Sequence, residues 1–160
     1  MSDGVEWAVH ACVLLASLPS DGALTASKIA EYQGVPPTYL AKHMQALARA
    51  GVVETVKGPK GGYRLSRPPT EISVLDIVEA IDGAEPAFRC TEIRRRGPAA
   101  MPARSYTKMC GIHATFVQAD EAWRSELEGT SVADLFLGVL RDAAPAGLEK
   151  GARWINEAVR

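Results

Sequence analysis

Residues 25–65 hold a short helical pattern, a tight turn, a longer helical pattern and then a basic, glycine-rich hairpin. This succession limits the folds open to the chain more than any other feature. Thr25 is placed to cap a helix over 26–32, whose Ile29 and Ala30 face inward. Gly34 ends that helix, Pro36 and Pro37 make the turn, and Pro37 suits the first position of a helix running to 50. Along it Tyr39, Leu40, Met44 and Leu47 recur at helical spacing, and Gly51 supplies a left-handed cap. Residues 52–56 are rich in β-branched side chains and 63–65 alternate, so both read as strands, joined by Lys57, Gly58, Pro59, Lys60, Gly61 and Gly62. Any hairpin turn needs glycine, so the loop alone says little. Directly behind two helices in a helix-turn-helix arrangement it reads as a wing. The expected fold is mainly α with a small β-hairpin wing: a winged helix-turn-helix plus a long C-terminal dimerisation helix.

Charge supports a polyanion as the partner of this segment. The net charge of the whole chain is only −1. Between Asp21 and Pro69, however, seven basic residues (Lys28, Lys42, Arg49, Lys57, Lys60, Arg64, Arg67) face three acids (Asp21, Glu31, Glu54), a net +4, while residues 71–160 carry eleven basic and fourteen acidic side chains. A solvated basic face on an unrelated domain would show the same sums. Base edges in such units are read from the N-terminal part of the second helix, and wing cations meet phosphate. The expected contacts to double-stranded DNA are therefore Thr38, Tyr39, Lys42 and His43 on the helix, with Lys57, Lys60 and Arg64 at the wing.

The flanks suggest how the unit is mounted. Residues 5–18 carry Trp7, Ala11, Leu14, Leu15 and Leu18 at helical steps, and Ser73 is placed to cap a helix over 74–81. Residues 90–110 contain Pro98, Pro102 and the run Arg94, Arg95, Arg96 with little periodicity, and an irregular segment longer than about 15 residues is usually functional. Ile112, Phe116, Ala119, Trp123 and Leu127 then form one apolar stripe on a long helix. A single winged helix has little surface left to cover that stripe, which points to a homodimer. Further helices are expected over 132–140 and 148–159. The expected organisation is a DNA-binding domain over 1–83, a ligand-bearing loop over 84–110, and a dimerisation helix with C-terminal helices over 111–160. No apolar run reaches the roughly 20 residues of a bilayer span, and no signal-peptide pattern opens the chain, so a cytoplasmic protein without a membrane partner is expected. A phosphate-binding glycine loop, a nucleophile elbow and a recognisable acid-base pair are all missing, which argues against an enzyme.

Glu6 and His10 lie four residues apart and share one face of the first helix. On the residues alone, a plain helical Glu-His contact is the favoured explanation. Cys12 points elsewhere and reads as a buried small hydrophobe. Cys90 and Cys110 border the irregular segment, where two ordinary thiols or an oxidisable pair are the bland alternatives. Together the carboxylate, imidazole and two thiols suit zinc or an iron-sulfur cluster better than magnesium or calcium. The twenty-residue gap between the cysteines leaves the metal undecided.

The run Tyr39-Leu40-Ala41-Lys42, the following Leu47-Ala48-Arg49-Ala50-Gly51-Val52-Val53, the wing Lys60-Gly61-Gly62-Tyr63-Arg64-Leu65 and the helix from Ile72 to Ile81 resemble the IscR, NsrR and RsrR family of bacterial transcriptional regulators. The resemblance runs from the first helix to about residue 140. It implies a homodimer that reads a palindromic operator, with the long C-terminal helix at the dimer interface. Relatives with a [4Fe-4S] site carry three closely spaced cysteines where this chain has only Cys90 and Cys110. The sequence is therefore more similar to the RsrR-like branch, which implies a [2Fe-2S] cluster held by Glu6 and His10 of one subunit and by Cys90 and Cys110 of the other. Trp7, next to Glu6, becomes a candidate switch residue as well as a core aromatic. The function implied is a regulator, expected to be a repressor, whose operator affinity follows the redox state or presence of that cluster. A cluster-free thiol switch or a zinc-stabilised regulator is the alternative.

Overall fold

The computed structural model describes residues 1–58 and 61–159. Seven α-helices and a two-stranded antiparallel hairpin form in the order α1 (Asp3–Ala16), α2 (Ala26–Gln33), α3 (Pro37–Arg49), β1 (Val53–Val56), β2 (Gly62–Leu65), α4 (Val74–Asp82), α5 (Gly111–Glu128), α6 (Val132–Asp142) and α7 (Pro145–Ala158). They make two compact units, one of residues 1–83 with 127–160 and the other of residues 84–126.

The local signals explain where the first elements start and stop. The Thr25 hydroxyl accepts from the Lys28 amide at 3.2 Å and caps α2. Gly34 closes α2 at φ +68, a left-handed conformation that costs glycine little, and so turns the chain within four residues into α3. In β1 and β2, Val53 stands opposite Leu65, Glu54 opposite Arg64 and Thr55 opposite Tyr63. Leu24 and Tyr63 exchange backbone hydrogen bonds of 3.1 and 2.8 Å, which ties the wing to the segment entering α2. Ser73 caps α4 in a reciprocal capping box with Asp76.

Ala8, Ala11, Cys12, Leu15, Leu24, Ile29, Leu40, Met44, Leu47, Ile72 and Ile77 fill one core between α1, α2, α3, the wing and α4. Val132 of α6 is as fully buried as these residues and belongs to the same core. Residues 127–160 pack in the same unit as residues 1–83, and two short backbone pairings seat the start of α6: Val74 N–H donates to Thr130 O at 2.9 Å and Val132 N–H to Ile72 O at 2.9 Å. On α7, Trp154 lies 4.8 Å from the Tyr32 ring of α2, so the last helix docks through an aromatic contact as well.

The other unit is built differently. None of its residues is buried. Residues 90–110 contain only two short 3-10 turns, Ile93–Arg95 and Ala103–Ser105. Tyr106 holds this loop together: its hydroxyl donates to Arg94 O and accepts from the Met101 amide, both at 2.8 Å, while the Arg94 and Arg95 guanidinium groups lie 5.1 and 5.5 Å from its ring. α5 leaves Ile112, Phe116 and Trp123 exposed and has no buried residue.

Candidate functional site

Thr38 and Tyr39 sit on the exposed first turn of α3, with Lys42 one turn on. The Lys42 ammonium lies 5.5 Å from the Tyr39 ring, so a cation and an aromatic face stand together on one surface. Lys57 is exposed at the end of β1, and Arg64 on β2 pairs with Glu54 at 2.6 Å across the hairpin. Lys60, the other expected wing cation, lies outside the described residues.

His43 is only partly exposed. Its ring packs against Gly4 of α1, where a Cβ would overlap it, and lies 6.0 Å from the Trp7 ring in an edge-on arrangement of 79°. Leu40, His43, Met44 and Leu47 thus form one continuous helical stripe, of which His43 is the polar member. Beyond this contact, the Ser2 amide donates to Asp82 at 2.9 Å, and the Ser2 hydroxyl donates to the same carboxylate. The Ser2 hydroxyl, with a smaller contribution from His43, holds the Asp82 carboxyl below its ordinary range. The N-terminal turn of α1 is thereby fastened to α3 by packing and to α4 by hydrogen bonds.

Glu6 and His10 are exposed on one face of α1 and both line an open cavity of about 320 Å³ with Trp7, Tyr32, Gln33 and Val35. The Gln33 amide nitrogen donates to Trp7 O at 3.4 Å, and its Oε1 is buried without a partner among the described residues. Cys12 faces the opposite way, into the core, where burial pushes its thiol up to about 12. It is unsuited to ligation, since the thiolate is the ligating form.

Cys90 and Cys110 both lie in the unit of residues 84–126, and both are free, half-buried thiols. The Arg94 guanidinium is held above its ordinary range, first by its hydrogen bond to Glu92 and to a lesser degree by the charges of Glu92, Cys110 and Cys90. The same hydrogen bond from Arg94, assisted by Arg95, holds the Glu92 carboxyl below the usual range. Two further residues join Cys90 that sequence reasoning passed over. A carboxylate oxygen of Glu92, a ring nitrogen of His113 and the Cys90 sulfur all lie within 4.8 Å of one another. Their signal was present as Cys90 and Glu92 two apart and Cys110 and His113 three apart, the close spacing that metal sites favour.

The donor set expected for a cluster passes a chemical test. Two sulfurs and an imidazole are donor types that iron-sulfur centres take, and Glu6 adds a carboxylate on the face of α1 that carries His10. Glu6 and His10 lie in the unit of residues 1–83 with 127–160, and Cys90 and Cys110 in the unit of residues 84–126.

The model of the Rrf2 family, described as an iron-dependent transcriptional regulator, matches residues 1–137. A putative HTH-type transcriptional regulator of Mycobacterium tuberculosis is 33% identical over 140 residues, covering 88% of this chain and 83% of that protein. The HTH-type transcriptional regulator IscR of Aliivibrio salmonicida is 37% identical over 85 residues, 53% of this chain and 51% of its own length. Among solved structures, CymR, the global cysteine regulator of B. subtilis, superposes with a TM-score of 0.68 at 20% identity, over 85% of this chain and 95% of that one. That likeness concerns the fold.

Proposed function

The chain belongs to the Rrf2 family of transcriptional regulators, and on that premise we propose that it is a cytoplasmic repressor whose operator affinity follows the redox state or presence of a [2Fe-2S] cluster. Glu6 and His10 of one subunit and Cys90 and Cys110 of the other are the ligands in this reading. The observation that carries it is the shared exposure of Glu6 and His10 on the rim of one cavity, on the helix that also touches the DNA-reading helix.

When bound, the cluster supplies a one-electron couple whose imidazole and carboxylate ligands tie electron transfer to protonation. The rest is done by the chain. Glu6 and His10 bracket Trp7, so any change in how they are held alters the angle at which Trp7 meets His43. His43 is part of the inward stripe of α3, and Gly4 leaves its ring no slack against α1. A displacement of α1 by a few tenths of an ångström is therefore passed to α3 rather than absorbed, as expected of close-packed side chains. Thr38, Tyr39 and Lys42, with His43 at the inner edge, read the major groove, and Lys57, Lys60 and Arg64 meet the backbone of a palindromic operator bound by a homodimer. The exposed stripe Ile112, Phe116 and Trp123 supplies the dimer contact.

Anaerobic purification tests this reading. Visible absorption with about equal iron and sulfide is expected, lost in His10→Ala and in Cys90→Ala, together with different operator affinities for oxidised, reduced and cluster-free protein. A colourless protein, or one affinity for all three forms, overturns it. A cluster-free thiol switch is the second reading. It is favoured by Cys90 and Cys110 being free, half-buried thiols of one unit, and it requires operator affinity to respond to thiol oxidation in protein without iron.

A further inference from the structure

We propose that Cys90, Glu92 and His113 of a single chain form a binding site for one divalent transition-metal ion of the zinc and ferrous class. The site shares Cys90 with the proposed cluster ligands and adds Glu92 and His113, which that reading does not use. It goes beyond the cluster reading, as a state of the protein without a cluster.

The three donor atoms lie within 4.8 Å of one another on half-buried side chains. A tetrahedral ion with bonds of about 2.0–2.3 Å separates its donors by roughly 3.3–3.8 Å, so a side-chain rotation of about 1 Å closes the site. The Cys90 sulfur and Glu92 Oε1 are already 3.9 Å apart. Glu92 is brought there by its backbone: at φ 51 and ψ 44 it is the one non-glycine residue with positive φ among the described residues, and its amide donates to the Cys90 sulfur at 3.4 Å. Its two oxygens have separate tasks. Oε2 accepts from Arg94 at 3.1 Å and from Arg95 at 2.9 Å, and Oε1 faces the thiol. His113 comes from the first turn of α5, where its ring lies 6.2 Å from that of Phe88, itself stacked on Phe116 at 4.2 Å. The aromatic pair fixes the side of the helix from which the imidazole approaches.

Thiolate, imidazole and carboxylate together select zinc, ferrous iron or cobalt over magnesium and calcium. Three protein ligands leave a fourth position for water or another thiolate. Binding replaces the thiol proton of Cys90 by the metal and releases that proton to solvent. Arg94 and Arg95 oppose the added positive charge, which makes the site weaker than an all-cysteine zinc centre. Cys90 appears in both ligand sets, so a mononuclear ion and the cluster exclude one another.

Titration of the reduced, metal-free full-length protein with Co2+ under anaerobic conditions tests the site. One ion per chain is expected, with a sulfur-to-cobalt charge-transfer band that Zn2+ abolishes. Glu92→Gln and His113→Gln should each weaken binding by about tenfold or more, at least the effect of losing an outer-shell partner. Glu6→Gln and His10→Ala should leave the titration unchanged. Thermal melting of each metal-free variant separates lost ligation from lost folding, and Cys90→Ser, which should remove the charge-transfer band, provides an independent check. Absence of the band in the native protein overturns the proposal, as does full-strength binding in both Glu92→Gln and His113→Gln or loss of binding in His10→Ala. Iron and sulfide content after anaerobic purification decides the cluster reading separately, so each can fail alone.

Discussion

The two compact units of this chain solve the problem of staying folded in opposite ways. Among the described residues, 1–83 with 127–160 contain every buried apolar side chain, from Val5 to Val132, whereas residues 84–126 contain none and rely on Tyr106, the arginines around it and a stacked Phe88–Phe116 pair. Burial of a large apolar side chain contributes about 1.5–3 kcal/mol, and a surface hydrogen bond or ion pair at most about 1 kcal/mol. The winged-helix unit therefore owns its stability. The other unit has no such core and is held by surface contacts alone. It also holds the two half-buried free thiols, Cys90 and Cys110.

Four measurements would break or sharpen this contrast. Leu47→Ala, in the centre of the core, should cost about 2–5 kcal/mol in urea unfolding; a loss below 1 kcal/mol would mean the core is not the main support. Trp123→Asp, on the exposed stripe of α5, should raise the dimer dissociation constant by about 30-fold, or ~2 kcal/mol, in sedimentation equilibrium. Unchanged association would move the interface elsewhere. Asp82→Asn should cost ~0.5–1 kcal/mol at neutral pH by weakening the Ser2 contacts. Because the Asp82 carboxyl is held below its ordinary value of 3.8, its contribution is full above that value and disappears as pH falls through the lowered one. Melting curves of the two proteins should therefore converge in acid and stay apart at neutral pH. Lys57→Ala should leave stability unchanged and lower the salt dependence of operator binding by about 0.9 counterion per wing. An unaltered salt slope would take Lys57 out of the phosphate footprint.

The elements of the DNA-reading unit were legible in the sequence because their signals are local. Thr25 caps α2, Gly34 and Pro37 make the turn, Ser73 caps α4, and each acts on residues at most a few positions away. The inward course of His43 was legible in principle, since positions 40, 43, 44 and 47 form one helical stripe, but a histidine on a helix placed to read DNA draws attention to its outer face. The two-residue spacing of Cys90 and Glu92 was legible, but the left-handed backbone that turns Glu92 toward the thiol was not, because nothing in an ordinary glutamate announces it. The seating of α6 on the winged helix was hidden as well. It rests on pairing between Ile72 and Val132 and between Val74 and Thr130, contacts across more than fifty residues that no periodicity encodes.

By itself the sequence determined the order of helices and strands, the basic middle of the chain and the identity of its thiols, since capping, periodicity and charge are written residue by residue. Only the tertiary structure decided which of these share a neighbourhood. It brought Glu6 and His10 to one cavity, wedged His43 between α3 and α1, and gathered Cys90, Glu92 and His113 within ligating reach. The physical reason is that such groupings depend on how the chain folds back on itself, and close packing fixes that only after distant segments have met.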